Sequence, residues 1–468
     1  MPIPVVTVEE MRSWERHSWD AGAREEDVIQ QVGRCIADQV RDQRHPGARI
    51  LIMAGRGNNG ADALAASTLL SRDFRIETLR VTLPDSQQSD VARALESRPD
   101  LIVDGLFGIG LNRDLDPDWR ALIGQLNESG IPILAIDVPS GLDADTGLPR
   151  GAAIRATWTL TVGAPKVGLL RPYALPFVGR LEVAHPVGLV GMPAGSGDLQ
   201  WSVAEDFPED PRRPVDSHKG TFGHAVLLAG SVGYSGAAVL SARAATRARP
   251  GLVSVLPPEE VWSTVASQLV TPMVHPFSKT HRLLESATAL LVGPGLASDS
   301  AREMMRREVE RIWDQFPGPL VVDATALDWI PRRTDRQGVR ILTPHPGEAA
   351  RLLGCSTSEI RADRIGSLRS IAQRYGALVI LKGHQTLVGG STGPIFLNPT
   401  GNPGLAQGGT GDVLAGYLVG LLAQKFHADN PLQTCRRSVW EHGTAADRLE
   451  RRRRNWNAED LADQLGLA

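Results

Sequence analysis

The sequence predicts an α/β fold in two domains, the first built on a doubly wound parallel sheet. Three observations carry this expectation. The chain has 468 residues, well beyond the roughly 150 of an average domain. Short apolar runs ending in an acid or a glycine alternate with stretches of helical period, the rhythm of strand, helix, strand. A segment rich in Gly, Pro, Asp and Arg, residues 191–217, interrupts that rhythm and reads as a linker. The expected domains are 1–200 and 201–468.

In the first domain, Arg49-Ile50-Leu51-Ile52-Met53-Ala54 is a compact apolar run that stops at Gly55, as a buried parallel strand would. A helical stretch follows through Leu64, Leu69 and Leu70, then a second strand around 74–83. Asp100-Leu101-Ile102-Val103-Asp104 and Ile131-Pro132-Ile133-Leu134-Ala135-Ile136-Asp137 repeat the design, with Trp119, Leu122, Ile123 and Leu126 at helical spacing between them. The pattern fades after Leu181-Glu182-Val183. Runs at 225–229, 252–256, 289–292, 320–323, 340–343 and 377–381 predict a second α/β domain from Thr221 onward.

Composition excludes several classes of function. Apolar residues are 42% and charged residues 22% of the chain, ordinary globular usage. A net charge of -3 and 5% aromatics offer neither an electrostatic footprint for nucleic acid or membrane nor a base-stacking surface. Cys35, Cys355 and Cys435 are widely spaced, so no disulfide framework or zinc site is expected. Met1-Pro2-Ile3-Pro4-Val5 lacks the regions of a signal peptide. The longest apolar stretch, 413–423, is broken by glycines and short of the ~20 residues that span a bilayer. A soluble cytoplasmic protein is the expectation. The basic run 451–454 reads as a solvated helix face.

Ligands of such sheets sit at the carboxyl ends of strands, where residues 55–62, 104–114 and 137–143 fall. Gly55-Arg56-Gly57-Asn58-Asn59-Gly60 is a G-x-G-x-x-G, with Glu77 about 20 residues on, the pattern of a dinucleotide-binding dehydrogenase. Asn58-Asn59 and Asp62, however, suit hydroxyls or a hard cation better than a bare pyrophosphate. Asn59, Asp104 and Ser140 can jointly ligate a monovalent cation through oxygen. Strand-ending acids equally serve as helix N-caps.

The strongest signal lies in the second half. Asn402-Pro403-Gly404-Leu405-Ala406-Gln407-Gly408-Gly409-Thr410-Gly411-Asp412 leads straight into an apolar helix. Stacked glycines and a helix N-terminus make an anion hole for a transferring phosphoryl group. Asp412 at its mouth can take a proton from a substrate hydroxyl. Thr343-Pro344-His345-Pro346-Gly347-Glu348 fixes an imidazole between two prolines, and Lys382 in Leu381-Lys382-Gly383-His384-Gln385-Thr386 can hold nucleotide phosphates. Gly233-Tyr234-Ser235-Gly236-Ala237 lacks the lysine of a P-loop.

Together these residues resemble the bifunctional NAD(P)H-hydrate repair enzymes, over nearly the whole chain. The second half carries that family's motifs in order: His218-Lys219-Gly220, Gly293-Pro294-Gly295-Leu296, 343–348, 381–386 and 401–412. The resemblance implies a Rossmann-like epimerase domain (an isomerase) fused to a ribokinase-like, ADP- or ATP-dependent dehydratase domain (a lyase). It implies that Ala237, Gly295, His345 and Asp412 contact the hydrate, with Asp412 as base. Lys382, Gly383, His384, Gln385, Thr386, Gly408, Gly409, Thr410 and Gly411 would hold the nucleotide with its magnesium.

In the first domain the resemblance places the hydrate near Asn58, Asn59, Gly60, Ala61, Asp62, Gly108, Ile109, Gly110, Leu111, Asn112, Arg113, Asp114 and a catalytic Asp137. It places potassium near Asn59, Asp104 and Ser140, and implies a homo-oligomer. Two departures are expected to matter. Ala61 and Ala63 stand where that family has glycines, adding methyl groups where positive φ or close ligand approach calls for none. The glutamate usual near Gln30-Gln31-Val32-Gly33 is absent. Other readings are a dehydratase with a non-catalytic first domain, a ribokinase-like small-molecule kinase, or a dehydrogenase.

Overall fold

The computed structural model describes residues 1–193, 195, 197–297, 302–332, 334, 337–453 and 455–467. It divides into two compact units, Ile3–Asp198 and Leu199–Ala468 together with Met1–Pro2.

The first unit contains β1 (Ile3–Pro4), β2 (Arg49–Ala54), β3 (Arg75–Arg80), β4 (Leu101–Gly105), β5 (Ile133–Ile136), β6 (Trp158–Val162) and β7 (Arg180–Ala184). Six of these form a parallel sheet in the order β3-β2-β4-β5-β6-β7. Side chains of a strand alternate between faces, which explains why β2 reads as a continuous apolar run. Ile50 and Ile52 pack beneath helices Glu25–Gln43 and Asn58–Leu70 with Ile36, Val40 and Leu70. Leu51 and Met53 point the other way, onto Leu122, Ile123 and Leu126 of helix Pro117–Glu128. The chain reverses direction across the sheet between β2 and β4, and a cleft at such a switch point is what this topology predicts.

The second unit contains β8 (Leu199–Trp201), β9 (His224–Leu228), β10 (Leu252–Val255), β11 (Met273–Val274), β12 (Ala289–Val292), β13 (Leu320–Val322), β14 (Arg340–Leu342), β15 (Leu378–Leu381), β16 (Leu387–Gly389) and β17 (Ile395–Leu397). Their order is β8-β17-β16-β15-β14-β13-β12-β9-β10-β11. Pairing is parallel from β11 to β15, and β16 lies antiparallel to both β15 and β17. Helix Thr410–Leu422 packs on helix Ser235–Arg247 at glycines: a Cβ at Gly416 would stand 2.1 Å from the Ser241 carbonyl oxygen, and one at Gly420 2.4 Å from that of Ala245.

Part of the segment expected to be linker is structured. Leu199–Trp201 joins the sheet parallel to β17, Trp201 is buried, and buried Asp206 pairs with Arg436. A three-residue strand is too short to show a period. Residues 451–453 of the basic run are exposed, and Arg454 lies outside the described residues. No helix among the described residues is long and apolar enough to cross a membrane.

Candidate functional sites in the two units

In the first unit a cleft of about 560 Å³ opens at the carboxyl ends of β2 and β4. The glycines of the G-x-G-x-x-G motif have two different jobs there. A Cβ on Gly55 would stand 2.0 Å from the Leu106 carbonyl oxygen, and one on Gly60 2.0 Å from that of Gly55. These two let the β2 loop, the β4 loop and the helix start close on one another. Gly57 precedes the helix, and a Cβ there would meet nothing within 4 Å.

Of the expected contacts, Asn58, Asn59, Asp62, Gly108, Ile109, Gly110, Leu111, Asn112, Arg113 and Asp137 line the cleft, while Gly60, Ala61 and Asp114 do not. The two alanines overturn one part of an expectation, the positive φ. Both lie inside helix Asn58–Leu70 and neither has positive φ. The Ala63 methyl fills the space left open by Gly105, where an added Cβ would come within 2.7 Å of it.

Asp137 sits in the left-handed region at φ 64, a conformation an Asp tolerates better than most residues. Its Oδ1 accepts from Lys166 Nζ at 2.6 Å, and its Oδ2 from the Ile109 amide at 3.3 Å. Lys166 is fully buried and also donates to Val162 O at 2.7 Å and Thr161 Oγ1 at 3.1 Å. Burial, then the charges of Asp137, Glu15 and Glu25, push the Asp62 carboxyl up to about 8. Burial and Asp137 also raise Glu15. One carboxyl is therefore held neutral near pH 7 beside an ion-paired one, an arrangement that separates acid from base. Sequence reasoning missed Lys166 and Glu15. A single lysine in Gly163-Ala164-Pro165-Lys166 carries no spacing signal, and Glu15 comes from a helix far away in sequence.

Asn59, Asp104 and Ser140 come together as an oxygen-rich group. Ser140 Oγ donates to Asp104 Oδ1 at 2.6 Å and accepts from the Phe107 amide at 2.9 Å. The Ser140 amide donates to Asp104 Oδ2 at 2.9 Å. Asn59 Nδ2 donates to the Phe107 and Ile136 carbonyls at 2.8 and 3.0 Å, which commits its nitrogen and leaves its oxygen for other partners. Burial pushes Asp104 up to about 6, opposed by Ser140 and the Leu106 amide. A fully buried carboxylate whose partners are a hydroxyl and backbone amides, all neutral, has no counter-charge among them. Its oxygens, with those of Ser140 and Asn59, are the donor type a hard cation takes.

In the second unit the expected loops meet at the carboxyl ends of the strands. Gly295, at φ 67, packs so closely on Ala237 that an added Cβ would come within 2.8 Å of the alanine methyl. Ser231 Oγ donates to the Gly295 carbonyl at 2.6 Å. Lys382 Nζ donates to Asp323 Oδ1 at 2.8 Å, lies 4.0 Å from Glu348, and would be 3.4 Å from a Cβ on Gly411. Burial opposes the lysine charge, yet Asp323, Glu348 and Asp412 together hold it above the usual lysine range. Burial, then Asp323, push the Asp412 carboxyl up to about 7, with Lys382 opposing. Gly409 takes φ 93 to start helix Thr410–Leu422. Buried His442 Nε2 lies 2.9 Å from the Thr410 carbonyl oxygen.

His345 caps helix Pro346–Leu353: its Nδ1 accepts from the Gly347 and Glu348 amides at 3.0 and 3.4 Å. Gly383 and Gln385 have φ 140 and 52, and Arg364 holds their loop through the Leu381 carbonyl at 3.3 Å. Asp323 and Glu348 were not among the expected site residues, although both lie in motifs the sequence displays. Among the described residues, no cluster of three or more His, Cys, Asp or Glu is arranged to hold a metal ion.

Fold and sites define a two-unit α/β protein with a dinucleotide-type cleft in one unit and a glycine-lined helix start bearing an aspartate in the other. Residues 225–466 match the family model of the NAD(P)H-hydrate dehydratase, and residues 25–97 and 82–168 that of the YjeF-related protein N-terminus. The bifunctional NAD(P)H-hydrate repair enzyme Nnr of Escherichia coli is 35% identical over 99% of this chain and 94% of its own length. That of Moorella thermoacetica is 33% identical over 95% and 90%. A solved ribokinase-like superfamily protein from Enterococcus faecalis is similar with a TM-score of 0.51 at 26% identity, covering 57% of this chain and 94% of that one. The chain belongs to the bifunctional NAD(P)H-hydrate repair enzyme family.

Proposed function

We propose that this chain returns hydrated NADH and NADPH to the reduced cofactors, with residues 201–468 as dehydratase and residues 1–200 as epimerase. The observation that carries the reading is Asp412, raised to about 7, in the first turn of a helix behind Gly408 and Gly409 and close to the Lys382–Asp323 pair. A base of that strength at an anion hole suits phosphorylation of an alcohol near neutral pH.

In the proposed reaction the hydroxyl oxygen at C6 of the hydrate attacks the terminal phosphoryl group of ADP or ATP, and its proton passes to Asp412. The nucleotide leaves one phosphate shorter. The ring nitrogen lone pair then expels phosphate from C6, and loss of the C5 proton restores the double bond. Amides of residues 408–411 hold the phosphoryl group, residues 382–386 hold the nucleotide, and Ala237, Gly295 and His345 contact the hydrate. Magnesium would travel with the nucleotide phosphates, screening their charge.

In the first unit, neutral Asp62 donates a proton to the departing C6 hydroxyl as the ring nitrogen forms an iminium. Water adds to the opposite face and gives its proton to Asp137. Asn59, Asp104 and Ser140 would hold potassium, which supplies a fixed positive charge beside the cleft. A cytoplasmic homo-oligomer completes the reading.

The test follows recovery of reduced-nicotinamide absorbance from mixed hydrate epimers with potassium, magnesium and excess ADP or ATP. Fast recovery of the whole pool supports both activities. Recovery of one epimer's share followed by a slow tail removes the epimerase, and no recovery with either nucleotide sinks the repair reading.

A further inference from the structure

We infer that a second cavity in the unit Leu199–Ala468 binds the phosphate groups of a small phosphorylated metabolite. The cavity has a volume of about 570 Å³, within the range of small-molecule sites. It lies at the amino ends of the strands: Phe222 and Arg249, in its wall, shortly precede β9 and β10. Ser231, Gly295 and Asp412 lie beyond the carboxyl ends, so the sheet separates this cavity from the site described above.

Its charge is one-sided. Arg212, Arg213, Arg249 and Lys425 line it, against one carboxylate, Asp210. That carboxylate is already paired, with Oδ1 2.8 Å from Arg437 Nη1 and 3.4 Å from Nε2 of His427, which also lines the cavity. Lys425 also reaches Asp429, at 3.2 Å.

Arg213 is held in place before any ligand arrives. Its guanidinium carbon stands 3.8 Å from the centre of the Phe222 ring, and it donates to Gln424 Oε1 at 3.1 Å and to the Arg249 carbonyl. Gln424 is itself tied down, donating to Ala248 O at 2.8 Å. Burial and the neighbouring charge of Arg249 lower the Arg213 pKa, with Asp210 only partly opposing. Guanidinium groups gathered with so little counter-charge gain most from a multiply charged anion, and their planar forks match phosphate oxygens.

The test is calorimetric titration of the full chain with tripolyphosphate at physiological salt. Beyond what the nucleotide site takes up, one equivalent is expected to bind wild type and the active-site variant Lys382→Met alike. Arg212→Gln/Arg249→Gln is expected to bind that equivalent at least about tenfold more weakly, a change of about 1.4 kcal/mol, because two cationic donors to the phosphate oxygens are gone. Basal hydrate repair should stay at the wild-type rate in this variant. If the double variant does not fold, Arg212→Glu, at an exposed position, replaces it. Equal binding by wild type and the cavity variant, or binding abolished only in Lys382→Met, overturns the inference.

Discussion

Lys382 and Asp323 form the ion pair on which the second site is organised, 2.8 Å apart, with Glu348 and Asp412 close enough to act on the lysine charge. Replacing Lys382 with Met removes the cation that lowers the Asp412 carboxyl. The base should then stay protonated to higher pH. Nucleotide-dependent recovery at pH 7 is expected to fall by about fivefold or more, since a carboxyl moved one unit up from about 7 goes from about half to about a tenth ionised at that pH. A pH profile displaced upward distinguishes this from simple loss of nucleotide binding, which would lower the curve without moving it.

Asp412 itself sets the wild-type profile. With its carboxyl at about 7, recovery should climb with pH through the range below 7 and level off above it. Asp412→Asn should lose about 10²–10⁴-fold and the slope with it. The stability effect has the opposite direction. A carboxyl raised on folding binds more protons folded than unfolded, so its contribution to stability falls as pH rises from about 4 toward 7. Thermal melts should therefore show Asp412→Asn gaining on wild type at pH 8 and not at pH 3.

Lys166 and Asp137 make the same argument in the first unit with deeper burial. Lys166→Met leaves Asp137 without its cation and is expected to destabilise that unit by about 3–5 kcal/mol. Urea unfolding should show Lys166→Met/Asp137→Asn less destabilised than Lys166→Met, because the double change leaves no uncompensated charge. Epimer exchange, followed by chromatography of the two hydrates, should be lost in both.

Ala61→Gly/Ala63→Gly tests whether the missing glycines impair the first site. Both positions are helical, and glycine in a helix interior costs about 1 kcal/mol relative to alanine. The double variant is expected to melt lower and to exchange epimers no faster than wild type.

Parallel strands such as β2, β5, β9 and β12 were legible in the sequence because they are buried on both faces and so read as unbroken apolar runs. Three-residue strands establish no period and were unevenly legible: β13 and β14, marked by Asp323 and Thr343-Pro344 at their ends, could be read, and β8, β16 and β17 could not. Acids at strand ends, such as Asp104 and Asp137, and at a helix start, such as Asp412, declared themselves by position. Asp323 and Glu348 stood in visible motifs, but only the fold shows that they share a lysine. Lys166 and Glu15 reach the first cleft from segments with no motif. The alanines misled as to φ because the sequence cannot say that their backbone is helical.

The residues lining the first cleft all come from Ile3–Asp198, and those of the Asp412 site all come from Leu199–Ala468. Among the described residues, each site is built from side chains of its own unit. Two crippled chains, one altered at Asp137 and one at Asp412, therefore hold between them one intact copy of each site. Mixed together, they can divide the labour, because an epimer freed by one molecule is open to capture by another. Fusion then guarantees equal numbers of the two sites, while neither depends on the other for its own completeness.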